Sequence, residues 1–269
     1  MGFFRQIRRK LTNMKTVLNS IIVAFSMYSK IPVPSRKMND KGMRYAMCFF
    51  PLIGALIGFL VMLWLSVAYV LGVSGIVKCA VICVIPVLVT GGIHLDGYLD
   101  TLDALSSHKS MTEKLEILKD PHAGAFAIIY GLVYMILYFA MWTNLELKTE
   151  IVLCIGFVLS RAMSAFGVAQ LKKAKKSGLL YAFSSEGDRK TVTAVSVIYA
   201  AACVCAVILI CWETGIFVLA GAAIAFIVYI VVSYRLFGGI TGDLAGYFLS
   251  LCELFMVIMA QLGELIWSL

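Results

Sequence analysis

The sequence predicts an all-α protein: a polytopic transmembrane helical bundle with about seven crossings and a short N-terminal segment that is re-entrant or interfacial. Two observations support this fold class. Of the 269 residues, 61% are hydrophobic and only 14% are charged, whereas a soluble domain is about half apolar and about a quarter charged. Apolar runs of about 20 residues, the length that a membrane-spanning helix needs, recur along the whole chain. Because no stretch resembles a linker, we expect residues 1–269 to form one membrane-embedded domain.

The N-terminal part of the chain differs from the rest. We expect residues 1–44 to form a cytoplasmic or interfacial segment, and residues 45–266 to form the helical bundle. Residues 3–16 are basic and amphipathic, as in a helix that lies on an anionic membrane surface. Residues 16–29 are apolar over too short a run for a comfortable crossing. A signal peptide is the alternative for this region, but the chain supplies its own membrane anchors.

The seven apolar segments that follow are residues 45–71, 76–92, 123–143, 151–170, 192–212, 216–234 and 244–266. Twenty of the 23 Lys and Arg residues lie in one alternating set of connections, and two lie in the other. Basic residues concentrate on the cytoplasmic side, so we expect a multi-pass protein of the cell (plasma or inner) membrane with a cytoplasmic N-terminus. The same asymmetry explains the net charge of +8 without a nucleic-acid partner, and the expected partner is the lipid bilayer.

Three aspartates in the stretch GGIHLDGYLDTLD, residues 91–103, are the main functional signal. Asp96, Asp100 and Asp103 are spaced i, i+4 and i+7, which places them within roughly 60° of one another on one helix face. Three carboxylates this close repel unless a cation lies between them, and Mg²⁺ takes a few carboxylates together with substrate phosphates. A solvated acidic face at a helix start is the alternative. We favour a metal site because the neighbouring segments are deeply apolar.

A second glycine-rich motif has the same form. Residues 91–96 and 238–243 both read G-G-I-x-x-D, so that Gly238, Gly239 and Asp243 repeat part of the first motif. Glycines permit close backbone approach to a ligand, and free amides at a helix start favour phosphate. Helix packing through small residues is the alternative explanation. Spacing alone leaves a shared site and a packing role open.

Cationic and imidazole side chains accompany these motifs on the cytoplasmic side. Arg161 lies inside the segment 151–170, where an arginine is costly and is usually functional or paired. We expect its side chain to reach the cytoplasmic end of the bundle and meet a phosphate or an aspartate there. The alternative is that the side chain extends to the membrane interface. Lys172 and Lys173 belong to the basic loop that follows, and His122 precedes the third segment. Carboxylates for Mg²⁺, with cations and amides for phosphates, predict phosphoryl transfer, in which catalysis is largely positioning and charge neutralisation.

Several motifs carry a resemblance to a known family. They are SKIPVP at residues 29–34, FPLIGALIG at 50–58, GGIHLDGYLDTLD at 91–103, Ser160-Arg161 and GITGD at 239–243. Nearly end to end, the chain resembles the membrane-embedded cobalamin synthase family, adenosylcobinamide-GDP ribazoletransferase, and residues 91–103 are the most specific match. The chain departs from the family pattern at Ala104, at His122-Ala123-Gly124 and in its lysine-rich loop, and the metal motif stays intact.

The resemblance implies a reaction and a set of roles. A ribose hydroxyl of α-ribazole, or of α-ribazole phosphate, attacks the cobinamide-side phosphorus of adenosylcobinamide-GDP, GMP leaves, and Mg²⁺ is required. The implied metal ligands are Asp96, Asp100, Asp103 and Asp243. The implied catalytic residues are Asp243, His94 and Asp103. The implied ligands of the substrate phosphates are Arg161, Lys172, Lys173, Gly238, Gly239 and His122. His94 lies about 160° from Asp96 on an ideal helix, so it reaches the site only if the helix begins after it.

Three other functions compete with this one. A CDP-alcohol phosphotransferase uses D-x-x-D-G-x-x-A-R, but the chain has no matching Ala-Arg or downstream aspartate pair. An intramembrane prenyltransferase fits D-x-x-x-D at Asp96 and Asp100 but needs a second aspartate-rich motif, and the second half offers only Asp188 and Asp243. A transporter is expected to have broken helices and charged residues at mid-membrane, whereas the aspartates of this chain lie together at its cytoplasmic end. The sequence leaves open the choice between ribazole and its phosphate, and whether the chain forms a homo-oligomer.

Overall fold

The computed structural model describes residues 2–33, 40–174 and 188–268, and for residues 2–13 and 40–41 it describes the backbone alone. Every regular element in these residues is a helix, which confirms the predicted all-α fold. In chain order they are α1 (Gly2–Tyr28), α2 (Asp40–Met43), a 3-10 turn (Ala46–Phe49), α3 (Phe50–Val70), α4 (Gly75–Thr90), α5 (Ile93–Ser106), α6 (Met111–Ile117), α7 (Ala125–Met141), α8 (Leu147–Gln170), α9 (Arg189–Ile210), α10 (Trp212–Leu236) and α11 (Gly242–Trp267). Pro34 of the first motif and residues 175 and 176 of the basic loop lie outside the described residues.

The N-terminal region folds as one continuous helix rather than as two segments. Helix α1 runs for 27 residues, so the predicted surface helix at 3–16 and the apolar stretch at 16–29 belong to a single element. After it, Lys30 donates its backbone N–H to the carbonyl of Val89 near the end of α4 (2.8 Å). This hydrogen bond ties the end of α1 to the turn that follows α4.

Five helices in the described residues are long and apolar enough to cross a membrane. The first is α3 together with the 3-10 turn that precedes it, and the other four are α8, α9, α10 and α11. The pair α4 and α5, bent by 95° at its break, is a sixth candidate. Helix α4 has 16 residues and α7 has 17, so each spans about 24–26 Å, less than a hydrocarbon core of about 30 Å. The chain is a multi-pass membrane protein, and the predicted number of seven crossings is approximate.

The long helices run alternately between two ends of the bundle. At one end, Lys78 near the start of α4 forms an ion pair with Glu150 near the start of α8 (2.6 Å). At the other end, Ile240 before α11 donates its N–H to the carbonyl of Lys172 after α8 (2.8 Å). The turn between α4 and α5 also lies at this second end, which therefore gathers both glycine motifs together with Lys172 and Lys173.

Helix α11 is the central element of the bundle. It packs against α5, α7, α8 and α10. Leu244 and Phe248, on its first two turns, are fully buried. Because α5 lies along α11, the beginning of α11 is held beside the aspartates of α5.

Candidate functional site

The acidic helix α5 follows a sharp turn at the end of α4. Gly91 and Gly92 have φ angles of +66° and +80°, in the left-handed region that glycine enters without steric cost. This turn ends α4 and directs α5 away from it at 95°. Asp96 then lies in the first turn of α5, where a carboxylate interacts favourably with the positive end of the helix dipole.

Helix α5 has an acidic face and a buried face. Asp96 is exposed, and Asp100 and Asp103 are half-buried. The buried face consists of His94, Gly97, Tyr98, Thr101 and Ala104. The three aspartates share one helix with the predicted spacing, so their carboxylates project to one side while the other side packs into the bundle.

A fourth aspartate approaches this face from α11. Gly97 allows the approach, because a Cβ on this residue would lie 2.6 Å from the backbone oxygen of Asp243. Asp243 lies in the first turn of α11. The preceding Thr241 caps that helix, its hydroxyl oxygen accepting the N–H of Leu244 (3.2 Å). The position of Asp243 is therefore set by close packing on one side and by a helix cap on the other.

The four aspartates interact electrostatically. The charges of Asp96, Asp243 and Asp103 all act on the Asp100 carboxyl group. Nowhere in the described part of the chain do three or more His, Cys, Asp or Glu side chains form a group that could hold a metal ion by itself. Mg²⁺ does not need such a cage, since it commonly binds one or two carboxylates and completes its shell with water and substrate phosphates. The all-oxygen donor set of this face therefore fits Mg²⁺.

The loop before α7 closes one side of the acidic face. Gly124 lies directly against the Asp103 carboxylate, where a Cβ would have no room. Two residues earlier, His122 donates its backbone N–H to the Asp120 carboxylate (3.0 Å), and its Nδ1 lies 2.8 Å from the same oxygen. These bonds favour the ionised carboxylate and hold the pKa of Asp120 below its ordinary value. His122 itself is exposed, with Asp120 as its partner.

The second glycine motif packs against the chain that follows α8. Besides the hydrogen bond between Ile240 and Lys172, a Cβ on Gly239 would lie 2.6 Å from the carbonyl carbon of Lys173. Gly239 also donates its own N–H to the carbonyl of Ser233 (2.9 Å). The amide that was expected to bind phosphate is thus used inside the protein, and the packing alternative describes Gly239.

The remaining members of the predicted phosphate set have different surroundings. Lys173 donates its ammonium group to the carbonyls of Val168 (2.6 Å) and Leu171 (2.9 Å), which satisfies the open end of α8. The side chain of Lys172 is exposed. Gly238 is half-buried with a φ of +72°. Of the two lysines, Lys172 is the one whose ammonium group is directed to solvent.

Arg161 lies inside the bundle and not at the acidic face. It is 1% exposed, and it forms an ion pair with Glu253 of α11. Its Nη1 also donates to the hydroxyl oxygen of Ser160 (3.0 Å). In place of the expected phosphate or aspartate, its partner is this glutamate, because a buried charge without a counter-charge is costly.

His94 lies on the buried face of α5. The helix begins at Ile93, so the condition under which His94 could join the aspartates is not met. Its ring packs against Phe50 and Tyr28, with centroid distances of 5.7 Å and 6.2 Å. Among the described residues, its buried Nε2 has no hydrogen-bond partner. The structure separates this candidate base from the acidic face.

Two residues of interest escaped the sequence analysis. Glu253 lies within the last apolar segment, and an intramembrane acid usually has a partner, so it could have been paired with Arg161. Lys30 lies in the SKIPVP motif and lines a cleft beside Asp96. Its side chain lies against Gly91, a contact between two motifs that no sequence pattern links.

The same residues fall within a recognised protein family. The family model described as cobalamin-5-phosphate synthase matches residues 20–261, which include the acidic face, the cleft and the buried ion pair. The chain belongs to the cobalamin-5-phosphate synthase family. This membership confirms the resemblance that was inferred chiefly from residues 91–103.

Several relatives of the chain within this family are named adenosylcobinamide-GDP ribazoletransferase. The protein of Lachnoclostridium phytofermentans is 47% identical over 247 residues, covering 92% of this chain and 95% of the relative. A Clostridium botulinum protein is 32% identical over 244 residues, covering 90% and 96%. A Geobacillus protein is 28% identical over 259 residues, covering 93% and 97%. No solved structure matches the chain.

Proposed function

We propose that the chain is an adenosylcobinamide-GDP ribazoletransferase, which joins adenosylcobinamide-GDP to α-ribazole or α-ribazole phosphate and releases GMP in cobalamin biosynthesis. Family membership and the activity named for the relatives support this function. The observation that carries it in the structure is the convergence of four aspartates from α5 and α11 at one end of the bundle. The lipid phosphotransferase, prenyltransferase and transporter hypotheses have no comparable support.

The proposed transfer forms one P–O bond and breaks another. The ribose hydroxyl of the acceptor attacks the cobinamide-side phosphorus, the bond from this phosphorus to the bridging oxygen breaks, and GMP leaves with that oxygen. The hydroxyl proton passes to a carboxylate, and Asp243 and Asp103 are the candidates that lie on the acidic face. Their neighbours on that face fix their positions, which is what proton transfer at a defined atom requires.

Mg²⁺ is the proposed cofactor of this site. Four negative side chains would repel a pyrophosphate, so the face needs positive charge before it can receive the substrate. Asp96, Asp100, Asp103 and Asp243 are the residues that would hold the ion. When bound, Mg²⁺ neutralises phosphate oxygens and stabilises the charge that develops during transfer. Lys172 and His122 lie at the edge of the same end of the bundle, where they can meet outlying phosphate oxygens.

The acidic end of the bundle is the proposed cytoplasmic end. The connections that meet there belong to the set that contains twenty of the 23 Lys and Arg residues. Of the Lys and Arg residues, only Lys78 and Lys148 belong to the connections of the opposite end. A positive excess marks the cytoplasmic side, and nucleotide substrates are made there. The proposal therefore places the site on the cytoplasmic face of the cell membrane.

Turnover in a defined membrane tests the function. Purified protein in nanodiscs receives adenosylcobinamide-GDP and α-ribazole, with and without Mg²⁺, and GMP release and corrinoid product are measured. We expect product only with Mg²⁺, and a rate lower by about 100-fold or more in Asp96→Asn, because loss of charge stabilisation at a reacting centre has effects of this size.

A matched control accompanies this variant. Glu146→Gln removes an exposed carboxylate at the opposite end of the bundle, and we expect it to keep the parent rate. Absence of product from the folded parent protein would refute the proposed function. Product formation without Mg²⁺ would refute the proposed requirement for Mg²⁺. Full activity in Asp96→Asn would show that Asp96 is not needed in the site.

A further inference from the structure

A cleft of about 610 Å³ opens between the end of α1 and the turn from α4 to α5. Its walls include Met27 and Lys30 on one side and Asp96 and Leu99 on the other. Its volume lies within the range of about 300–1,000 Å³ that small-molecule sites occupy. Since Asp96 belongs both to the cleft and to the acidic face, the two are continuous.

Lys30 supplies the positive charge of this cleft. Its backbone is fixed by the hydrogen bond from its N–H to Val89 (2.8 Å). Its side chain is exposed, and within the described ranges it takes part in no ion pair. A lysine held by its backbone with an uncommitted ammonium group is suited to bind a phosphate as a point charge.

Gly91 gives the Lys30 side chain its path into the cleft. A Cβ on Gly91 would lie 2.7 Å from Cγ of Lys30, so the lysine stem occupies the space that a larger residue would fill. The left-handed φ of +66° at Gly91 also excludes most other residues. The turn that positions α5 therefore also positions Lys30.

The other walls of the cleft suit a ribose and a base. The hydroxyls of Ser26 and Thr90 donate to backbone carbonyls of their own helices, at 3.0 and 2.7 Å. Ser29, which follows α1, donates to the carbonyl of Phe25 (2.7 Å) and accepts the N–H of Ile31 (3.4 Å). Their oxygens keep lone pairs that can accept hydrogen bonds from ribose hydroxyls or base N–H groups. Met27 and Leu99 present apolar surface on which a flat base can lie.

We propose that this cleft binds a nucleoside monophosphate group, with its phosphate at Lys30 and its base against Met27 and Leu99. The inference rests on the proposed function, which makes such groups part of the substrates. Two sources share this chemistry, namely the GMP half of the pyrophosphate substrate and the phosphorylated acceptor. In either case the cleft carries the phosphate next to Asp96, where the acidic face begins.

Direct binding tests the cleft independently of turnover. The full chain is prepared in nanodiscs of neutral lipid, so that anionic headgroups do not compete, and binding of GMP and of α-ribazole phosphate is measured by equilibrium dialysis. Lys30→Gln should weaken at least one of them by about tenfold or more, as expected for loss of a charge-assisted hydrogen bond. Lys30→Arg should retain binding, and Lys15→Gln, an exposed lysine elsewhere on α1, should not change it.

The pattern across the two ligands identifies the source. Weaker binding of GMP alone assigns the cleft to the leaving nucleotide, and weaker binding of α-ribazole phosphate alone assigns it to the acceptor. Guanosine, which lacks the phosphate, should bind equally to the parent and to Lys30→Gln. Unchanged binding of both phosphorylated ligands in Lys30→Gln would overturn the proposal, even where the parent protein turns over normally.

A steric variant provides a second test that does not depend on charge. Ser26→Trp places a large side chain in the cleft from an exposed position of α1, and it should abolish binding of the ligand that Lys30→Gln weakens. Ser66→Trp, at an exposed serine of α3, is the matched control. Retained binding in a folded Ser26→Trp protein would place the nucleotide elsewhere and overturn the proposal.

Discussion

Arg161→Met tests whether the buried arginine stabilises the helix bundle or binds the substrate. Arg161 is 1% exposed and Glu253 is 7% exposed, and the two form an ion pair between α8 and α11. The substitution leaves the Glu253 carboxylate buried without its cation, which costs about 3–5 kcal/mol. At about 2–4 °C per kcal/mol for a chain of this size, the unfolding temperature should fall by about 6–20 °C.

The double variant Arg161→Met/Glu253→Leu separates charge burial from function. With both charges removed, neither partner of the pair is left as an uncompensated buried charge, and replacing such a pair by apolar residues is often neutral or stabilising. We therefore expect the double variant to recover most of the stability that Arg161→Met loses. The two single variants and the double variant together give the coupling free energy of the pair. Lys148→Met, at an exposed lysine of the opposite end, should change stability by less than about 0.5 kcal/mol.

Thermal unfolding in detergent and GMP release in nanodiscs measure the two properties separately. We expect the folded double variant to turn over within about tenfold of the parent, a barrier change under about 1.4 kcal/mol, because neither side chain lies on the acidic face. A stable double variant without turnover would refute this reasoning and return Arg161 to the substrate-binding residues. An Arg161→Met protein as stable as the parent would refute the role of the ion pair in the fold.

Two further substitutions test local features of the site end. Gly97→Ala places a Cβ 2.6 Å from the backbone oxygen of Asp243, so it should push α5 away from α11, cost about 1–3 kcal/mol of stability and lower the turnover rate. In the control Gly75→Ala the new Cβ meets nothing within 4 Å, so stability and turnover should not change. Equal effects of the two substitutions would contradict the close approach of α5 and α11 at Gly97. Asp188 accepts the N–H of Thr191 (3.1 Å), and this bond holds its pKa below the ordinary value, so its stabilisation of α9 is present at neutral pH and is lost as the pH falls through the lowered pKa. The protection of the first-turn amides of α9, taken relative to their intrinsic exchange rates at each pH, should therefore fall in acid in the parent but not in Asp188→Asn, which caps without titrating. The same acid response in both proteins would exclude this carboxylate as the cause.

The acidic face was predictable because its geometry is local. The spacing of Asp96, Asp100 and Asp103 defines a face on any helix that contains them, and the structure supplies that helix as α5. The position of His94 depended on one further detail, the residue at which the helix begins. A shift of two residues in that start would have changed its surroundings, and helix boundaries are the least certain part of a sequence-based prediction.

The glycines of residues 238–243 show where a shared pattern has different causes. In the first motif, Gly91 turns the chain and makes room for Lys30. In the second, Gly239 makes room for the backbone after α8 and donates its amide to Ser233. Gly91 and Gly92 also donate their amides inside the protein, to the carbonyl of Val87, so the two motifs differ in what each glycine packs against.

Properties that depend on short stretches of chain follow from the order of residues alone. The membrane-embedded helical class rests on the length of apolar runs, the expected orientation rests on the placement of Lys and Arg, and the acidic face rests on helical spacing. Pairings between distant residues do not follow in this way. Arg161 and Glu253 are 92 positions apart. Lys30 and Gly91 are separated in the sequence by α2, α3 and α4, so both sets of partners depend on how the helices pack. Because close packing brings together residues that no sequence period relates, the buried ion pair and the cleft emerged only with the assembled bundle.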